Sequence, residues 1–190
     1  MGLREVMLEK LRDLYSAENQ LVKALPKLAK AAEDDELQQA FSEHLEETKG
    51  QVERLKQVFS ILEEKPTGKH CNGMEGLVEE GKEAIDDEEE GEAYDIGLIG
   101  AAARVEHYEI AGYTAVIAML KGLGLEEAAE NLEETLNEEN LALEKLESKI
   151  QELIVAAAES GASEDEEAET ENTAKPQLLK PLTPASKRNV

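Results

Sequence analysis

The chain has 190 residues, with 44 Asp and Glu against 20 Lys and Arg, for a formal net charge of -24. A polyanion of that strength repels phosphate backbones and anionic bilayers, so the sequence argues against nucleic-acid and membrane-surface partners. The absence of Trp, two Phe only, and abundant Ala, Leu, Glu and Lys indicate an all-α domain rather than a sheet.

The first apolar stripe reads Leu3, Met7, Leu11, Leu14, Glu18, Leu21, Leu25, Leu28, at spacings of three and four that keep one helix face. It predicts a helix over 3–32, kinked near Pro26, whose ring removes a backbone donor. The acidic turn Glu33-Asp34-Asp35 then leads into a second stripe, Leu37, Phe41, His44, Thr48, Gln51, Leu55, Val58, Leu62, expected to be helical over 35–64. So short a link makes the pair an antiparallel hairpin.

Lys65-Pro66-Thr67-Gly68 and Cys71-Asn72-Gly73 are stop signals, followed by a short helix expected over 74–85 and the acidic run 86–90. Ile99, Ala102, Glu106, Glu109, Tyr113, Val116 and Leu120 mark a third long helix over 92–121. Beyond Gly122-Leu123-Gly124, the stripe Leu125, Ala129, Leu132, Leu136, Glu139, Leu143, Leu146, Ile150, Leu153 marks a fourth over 125–158. Two hairpins joined by a segment long enough to run the length of a bundle describe a ferritin-like four-helix bundle in one domain, 1–160. The acidic, then Pro- and Lys-bearing stretch 161–190 reads as a disordered tail.

Each stripe is interrupted near its middle. Glu18, the patch from His44 to Gln51, Glu106 and Glu139 fall at one level when neighbours run antiparallel. An ionised carboxylate in an apolar core costs several kcal/mol, so several together need protons, water or cations. Two divalent cations would neutralise about four carboxylates. His44 and Glu47, Glu47 and Gln51, and Glu106 and Glu109 share faces by their spacing. Such an oxygen-rich shell with one imidazole suits iron or manganese better than structural zinc, although zinc remains an alternative. The seam pattern selects Glu139 on the fourth helix. A weak internal repeat, His44 to Thr48 against Asn131 to Thr135, pairs Gln51 with Glu138 instead. The contrary reading leaves Glu18, Glu106 and Glu139 at helix margins, paired to cations such as Arg54 and Arg104. His107 then points away from Glu106, His70 beside Cys71 is too small a cluster for a site, and Tyr15, Tyr108 and Tyr113 are core residues.

The stretches DLYSAENQLVKALPKLAKAA, HLEETKGQVERLKQVF, KPTGKHCNGMEGLVEEG, ARVEHYEIAGY and TLNEENLALEKL resemble the YciF-type stress-protein family of the ferritin-like superfamily. The resemblance implies a homodimeric bundle with a two-metal site and a role in bacterial stress responses. The superfamily pattern is Glu, Glu-x-x-His, Glu, Glu-x-x-His on successive helices, and Glu18 and Glu106 match its single-Glu positions. Gly50 and Ala142 stand where the two histidines would be, and His44 precedes Glu47 by three residues instead. Glu18 and Glu106 are then expected as terminal or chelating ligands and Glu47 and Glu139 as bridges, with His44, Gln51 and Glu109 completing the shell. The expected activity is iron oxidation or peroxide consumption at a di-iron or di-manganese centre. The alternative is a metal-free bundle whose polar core sets dimer pairing. Cys71, as sole cysteine, forms no internal disulfide. With no apolar leader or membrane span, a cytoplasmic location is expected. No phosphate-binding loop or Ser/His/Asp set supports a kinase or hydrolase.

Overall fold

The structure, a computed structural model, describes residues 2–87 and 89–173, the side chains as far as residue 159. It consists of α1 (Leu3–Ala31), α2 (Asp35–Ile61), α3 (Asn72–Ile85), α4 (Gly91–Gly122) and α5 (Glu126–Thr173), with no strand among the described residues. None of its helices is long and apolar enough to cross a membrane.

Local chemistry sets the boundaries. Asp34 caps α2 by accepting from the Leu37 amide at 2.8 Å. α2 stops at Ile61, three residues before the expected end at Glu64, because Glu63 turns left-handed (φ 57°) and the Glu64 amide closes back on the Phe59 carbonyl. Gly124 takes the same conformation (φ 72°) between α4 and α5, where the Leu125 amide donates to the Leu120 carbonyl. Pro26 does not break α1: it sits on the exposed face, and Leu25 and Leu28 beyond it keep their buried register. α5 continues past Ala158 through the Ala- and Glu-rich stretch expected to be unstructured, as far as Thr173. Both residue types propagate helices well, and no proline intervenes before Pro176. The rest of that expected tail, 174–190, lies outside the described residues.

Contacts between the helix ends give the topology. The Leu3 side chain lies against Gly122, while at the other end the Glu33 and Asp34 amides donate to Asp95 at 2.9 and 2.7 Å. Lys149 of α5 pairs there with Asp34 and Glu36. Thus α1 and α5 run one way, α2 and α4 the other. The crossover 62–90 returns along α1 and α4, with α3 packed on both. This is the ferritin-like arrangement of two antiparallel hairpins.

The apolar core is divided. One cluster holds Ala17, Leu21, Leu25, Phe41, Leu98, Ile99 and Leu146. The other holds Met7, Leu11, Leu55, Phe59, Tyr113, Val116 and Leu132. On α2, α4 and α5 the residues from His44 to Gln51, Glu106 with Glu109, and Thr135 with Glu139 lie along the sequence between these two sets, and on α1 Glu18 lies one residue past their boundary, between Ala17 and Leu21.

Candidate metal centre

α1 contributes Glu18, α2 His44, Thr48 and Gln51, α4 Glu106 and Glu109, and α5 Thr135 and Glu139, all buried. Their placement follows from the stripes: each occupies a seam position where its helix faces the other three. His44, Glu106, Glu109 and Glu139 each offer one ligand atom, and these four atoms lie within 4.8 Å of one another. The His44 Nε2 stands 3.4 Å from Glu106 Oε1 and 3.8 Å from Glu139 Oε2.

Burial pushes the Glu18, Glu109 and Glu139 carboxyls well above the usual carboxylate range, and the charges of neighbouring carboxylates push them further: Glu139 on Glu18, Glu18 and Glu139 on Glu109, and Glu106 on Glu139. Glu106, raised first by burial and then by Glu18, reaches about 7. Burial works to lower the His44 pKa, but Glu47, Glu139 and Glu18 outweigh it and raise the value overall. Tyr113, itself held protonated by burial and by the Glu18 charge, donates to Glu18 Oε1.

None of the ion pairs among the described residues joins Glu18, Glu106, Glu109 or Glu139 to a lysine or arginine. Arg54 instead clasps Glu138 through both guanidinium ends and also donates to Thr135 Oγ1 at 3.0 Å. Arg104 pairs with exposed Glu80. The margin reading of these glutamates therefore has no counterpart in the packing. It leaves buried ligand atoms without hydrogen-bond partners: Glu18 Oε2, His44 Nε2, Gln51 Oε1, Glu106 Oε2 and both oxygens of Glu109 and of Glu139. Unpartnered acceptors at this density are what a cation would satisfy, so the residues present fit a metal.

Glu139 rather than Glu138 enters the cluster, while Glu138 accepts from Gln51 Nε2 at 3.1 Å, so the seam and the repeat each describe a real contact. Glu47 does not join the buried set. Its side chain is 36% exposed, and its Oε2 lies 3.2 Å from His44 Nδ1. A proton on Nδ1, shared with Glu47, leaves Nε2 as a lone pair facing the carboxylates, the tautomer a metal ligand needs. Sequence reasoning placed Tyr113 and Thr48 in the core without pairing the Tyr113 hydroxyl with Glu18, and it passed over Thr135, which occupies the position of the repeat equivalent to Thr48, the available signal. His107 is exposed, and His70 pairs with Glu75 at the surface.

The family model of DUF892, a domain of unknown function, matches residues 2–159. The chain belongs to this family. Within it, the DUF892 chain is 48% identical over 138 residues to Protein YciF of Escherichia coli (strain K12), covering 72% of this chain and 83% of that protein. The crystal structure of the E. coli stress protein YciF matches with a TM-score of 0.79 at 44% identity, covering 80% of this chain and 97% of that one. YcfI of Rhodopseudomonas palustris matches with a TM-score of 0.76 at 40% identity, covering 77% and 94%. A Xanthomonas campestris protein at 22% identity, with a TM-score of 0.68 over 85% and 99%, shares the fold. The resemblance to YciF-type proteins and the helical-bundle fold are thereby borne out.

Proposed function

We propose that this bundle is a stress-response protein whose mid-bundle layer holds a pair of divalent iron or manganese ions. The observation that carries the reading is the set of four buried carboxylates and one imidazole whose free ligand atoms meet no lysine or arginine. His44, Glu106, Glu109 and Glu139 form one ligand cluster, and Glu18, with Oε2 free, supplies a carboxylate from α1. Bound there, such ions supply one-electron chemistry toward oxygen or peroxide, and hence iron oxidation or peroxide consumption.

The protein's own groups prepare the layer. Glu47 fixes the His44 tautomer, Tyr113 holds one Glu18 oxygen in place, and the apolar clusters on either side exclude bulk water. Following the family resemblance, we take the protein to be a cytoplasmic homodimer; light scattering on the purified chain tests its mass.

Protein purified without chelators is expected to carry iron or manganese at up to two per chain, and to lose thermal stability when stripped. Mixing the ferrous form with oxygen or peroxide is expected to produce a ferric charge-transfer band. Trace metal only, with no stabilisation on adding iron, manganese or zinc, would defeat the proposal in favour of a metal-free bundle with a structural role. Two observations favour that second reading: α5 supplies no imidazole to the layer, and the R. palustris relative is named a candidate structural protein.

A further inference from the structure

Exposure falls in steps along one line of side chains: Glu47 is 36% exposed, His44 8%, Glu106 3% and Glu139 0%. The line follows the seam between α2 and α5. There a narrow cleft, walled by Ala40 and Phe41 on one side and Ala142 and Leu146 on the other, touches His44, Glu47 and Glu106. The other described clefts, against α3, beside Gly68 and His70, and along the outer α1–α4 surface, are lined by none of these three. Lys145 stands at the rim, shared with a shallower surface cleft bearing Glu36, Lys149 and Glu152, and its charge acts on Glu47.

We infer that divalent cations reach the buried layer through this α2–α5 seam, docking first on the Glu47 carboxylate, with Lys145 as the gate that an incoming cation displaces. The inference rests on the metal-centre reading proposed above and assigns Glu47 to loading rather than to the final ligand set. The chemistry is that of ion exchange. The cleft is tight, so a hydrated ion gives up water to enter it, and an oxygen ligand at the mouth replaces what is lost. Glu47, half-buried, is the carboxylate on this line nearest solvent, and it already touches the imidazole whose second nitrogen faces the layer. Lys145 occupies the mouth with the opposite charge, so an ion arriving beside Glu47 meets it as a competitor. The sequence placed Glu47 in the site by its spacing from His44 and Gln51. The structure puts it on the way in.

The test uses metal-stripped full-length protein and cobalt(II), following the rise of its visible absorption in stopped flow and the cobalt bound at equilibrium by metal analysis. Glu47→Gln is expected to slow loading about tenfold, and Lys145→Glu to speed it by a similar factor that shrinks with added salt. Ala142→Leu, which fills the cleft wall, is expected to slow loading with the equilibrium stoichiometry kept. Ala40→Leu repeats that test from the opposite wall should the first variant fail to fold by circular dichroism. Wild-type loading rates in Glu47→Gln and in either cleft-filling variant, with normal stoichiometry, overturn the seam and leave the metal centre standing. Loss of bound cobalt at equilibrium in Glu47→Gln overturns the assignment of Glu47 to loading and makes it part of the finished site, as a ligand or as the partner that holds His44. Absence of cobalt binding by the wild type overturns both readings together.

Discussion

Glu139 is fully buried, and neither of its oxygens meets a hydrogen-bond donor, so at this position charge opposes folding in the metal-free protein. Gln is close in shape, carries no charge, and brings an amide that can donate to the Glu106 or Glu109 oxygens. Glu139→Gln is therefore expected to raise the melting temperature of the stripped protein near pH 8 by several degrees, a gain of roughly 1–3 kcal/mol, and to abolish stabilisation by added metal. A melting series with and without manganese checks both halves, and a variant that is destabilised without metal contradicts the account. Arg54 presents the opposite case. Its guanidinium satisfies Glu138 and Thr135 across α2 and α5 in a half-buried setting, so removing it takes the cation from Glu138, which keeps only the Gln51 amide, and the donor from Thr135. Arg54→Ala should cost about 2 kcal/mol, read as a fall of roughly 4–8 °C in melting temperature, while leaving metal stoichiometry unchanged. The contrast separates a charge that is answered from one that waits for an ion.

The elements were legible to the extent that they repeat. α1, α4 and most of α5 follow from spacings of three and four with a single buried face, and the level of the polar interruptions follows from counting residues along antiparallel partners. Endings were harder, because they depend on events one residue long: the left-handed Glu63 that halts α2, or the helix propensity of an acidic run that takes α5 to Thr173. Side-chain direction was beyond counting. Glu138 and Glu139 are neighbours, and only the packing of α5 against α2 and α4 sends one to Arg54 and the other into the layer. Glycines give a test at this scale. A Cβ at Gly73 would lie 2.8 Å from the Tyr108 ring and hydroxyl, which in turn meets the Cys71 thiol and Asp13, so either α3 shifts off α4 or the Tyr108 ring moves and gives up those two contacts. Gly97, inside α4, has nothing within 4 Å of such a Cβ. Gly73→Ala is expected to destabilise by about 1–3 kcal/mol, whereas Gly97→Ala should stabilise by up to about 1 kcal/mol through helix propensity alone. Urea denaturation of both variants measures the difference, and equal effects would mean that the crossover helix is not held through Tyr108.

For the whole molecule, the buried layer and the net charge of -24 act together, and pH separates them. Glu18, Glu109 and Glu139 hold their protons well above the ordinary carboxylate value when folded, and Glu106 holds its own to about 7. A carboxyl raised in the folded state contributes stability that is complete below its unfolded value and is lost as pH climbs through the folded one. His44, also raised, acts in the same direction. Glu47 and Asp34, both lowered, act oppositely, adding stability that is lost as pH falls, but both lie nearer solvent and are screened. The stripped protein should therefore melt at progressively lower temperature between about pH 5 and pH 8. Metal reverses the trend, since ligands must shed their protons to bind and affinity rises with pH. The gap between the melting temperatures of loaded and stripped protein should accordingly widen across the same range. Surface self-repulsion among the excess acids also grows as they ionise, but mobile ions screen it, whereas they scarcely reach the layer. Repeating the series at about 0.5 M salt should flatten the surface part and keep the metal-dependent gap. If salt removes the whole pH dependence, the buried carboxylates are not its source, and a gap that stays at zero at every pH would make the polar layer a feature of packing alone.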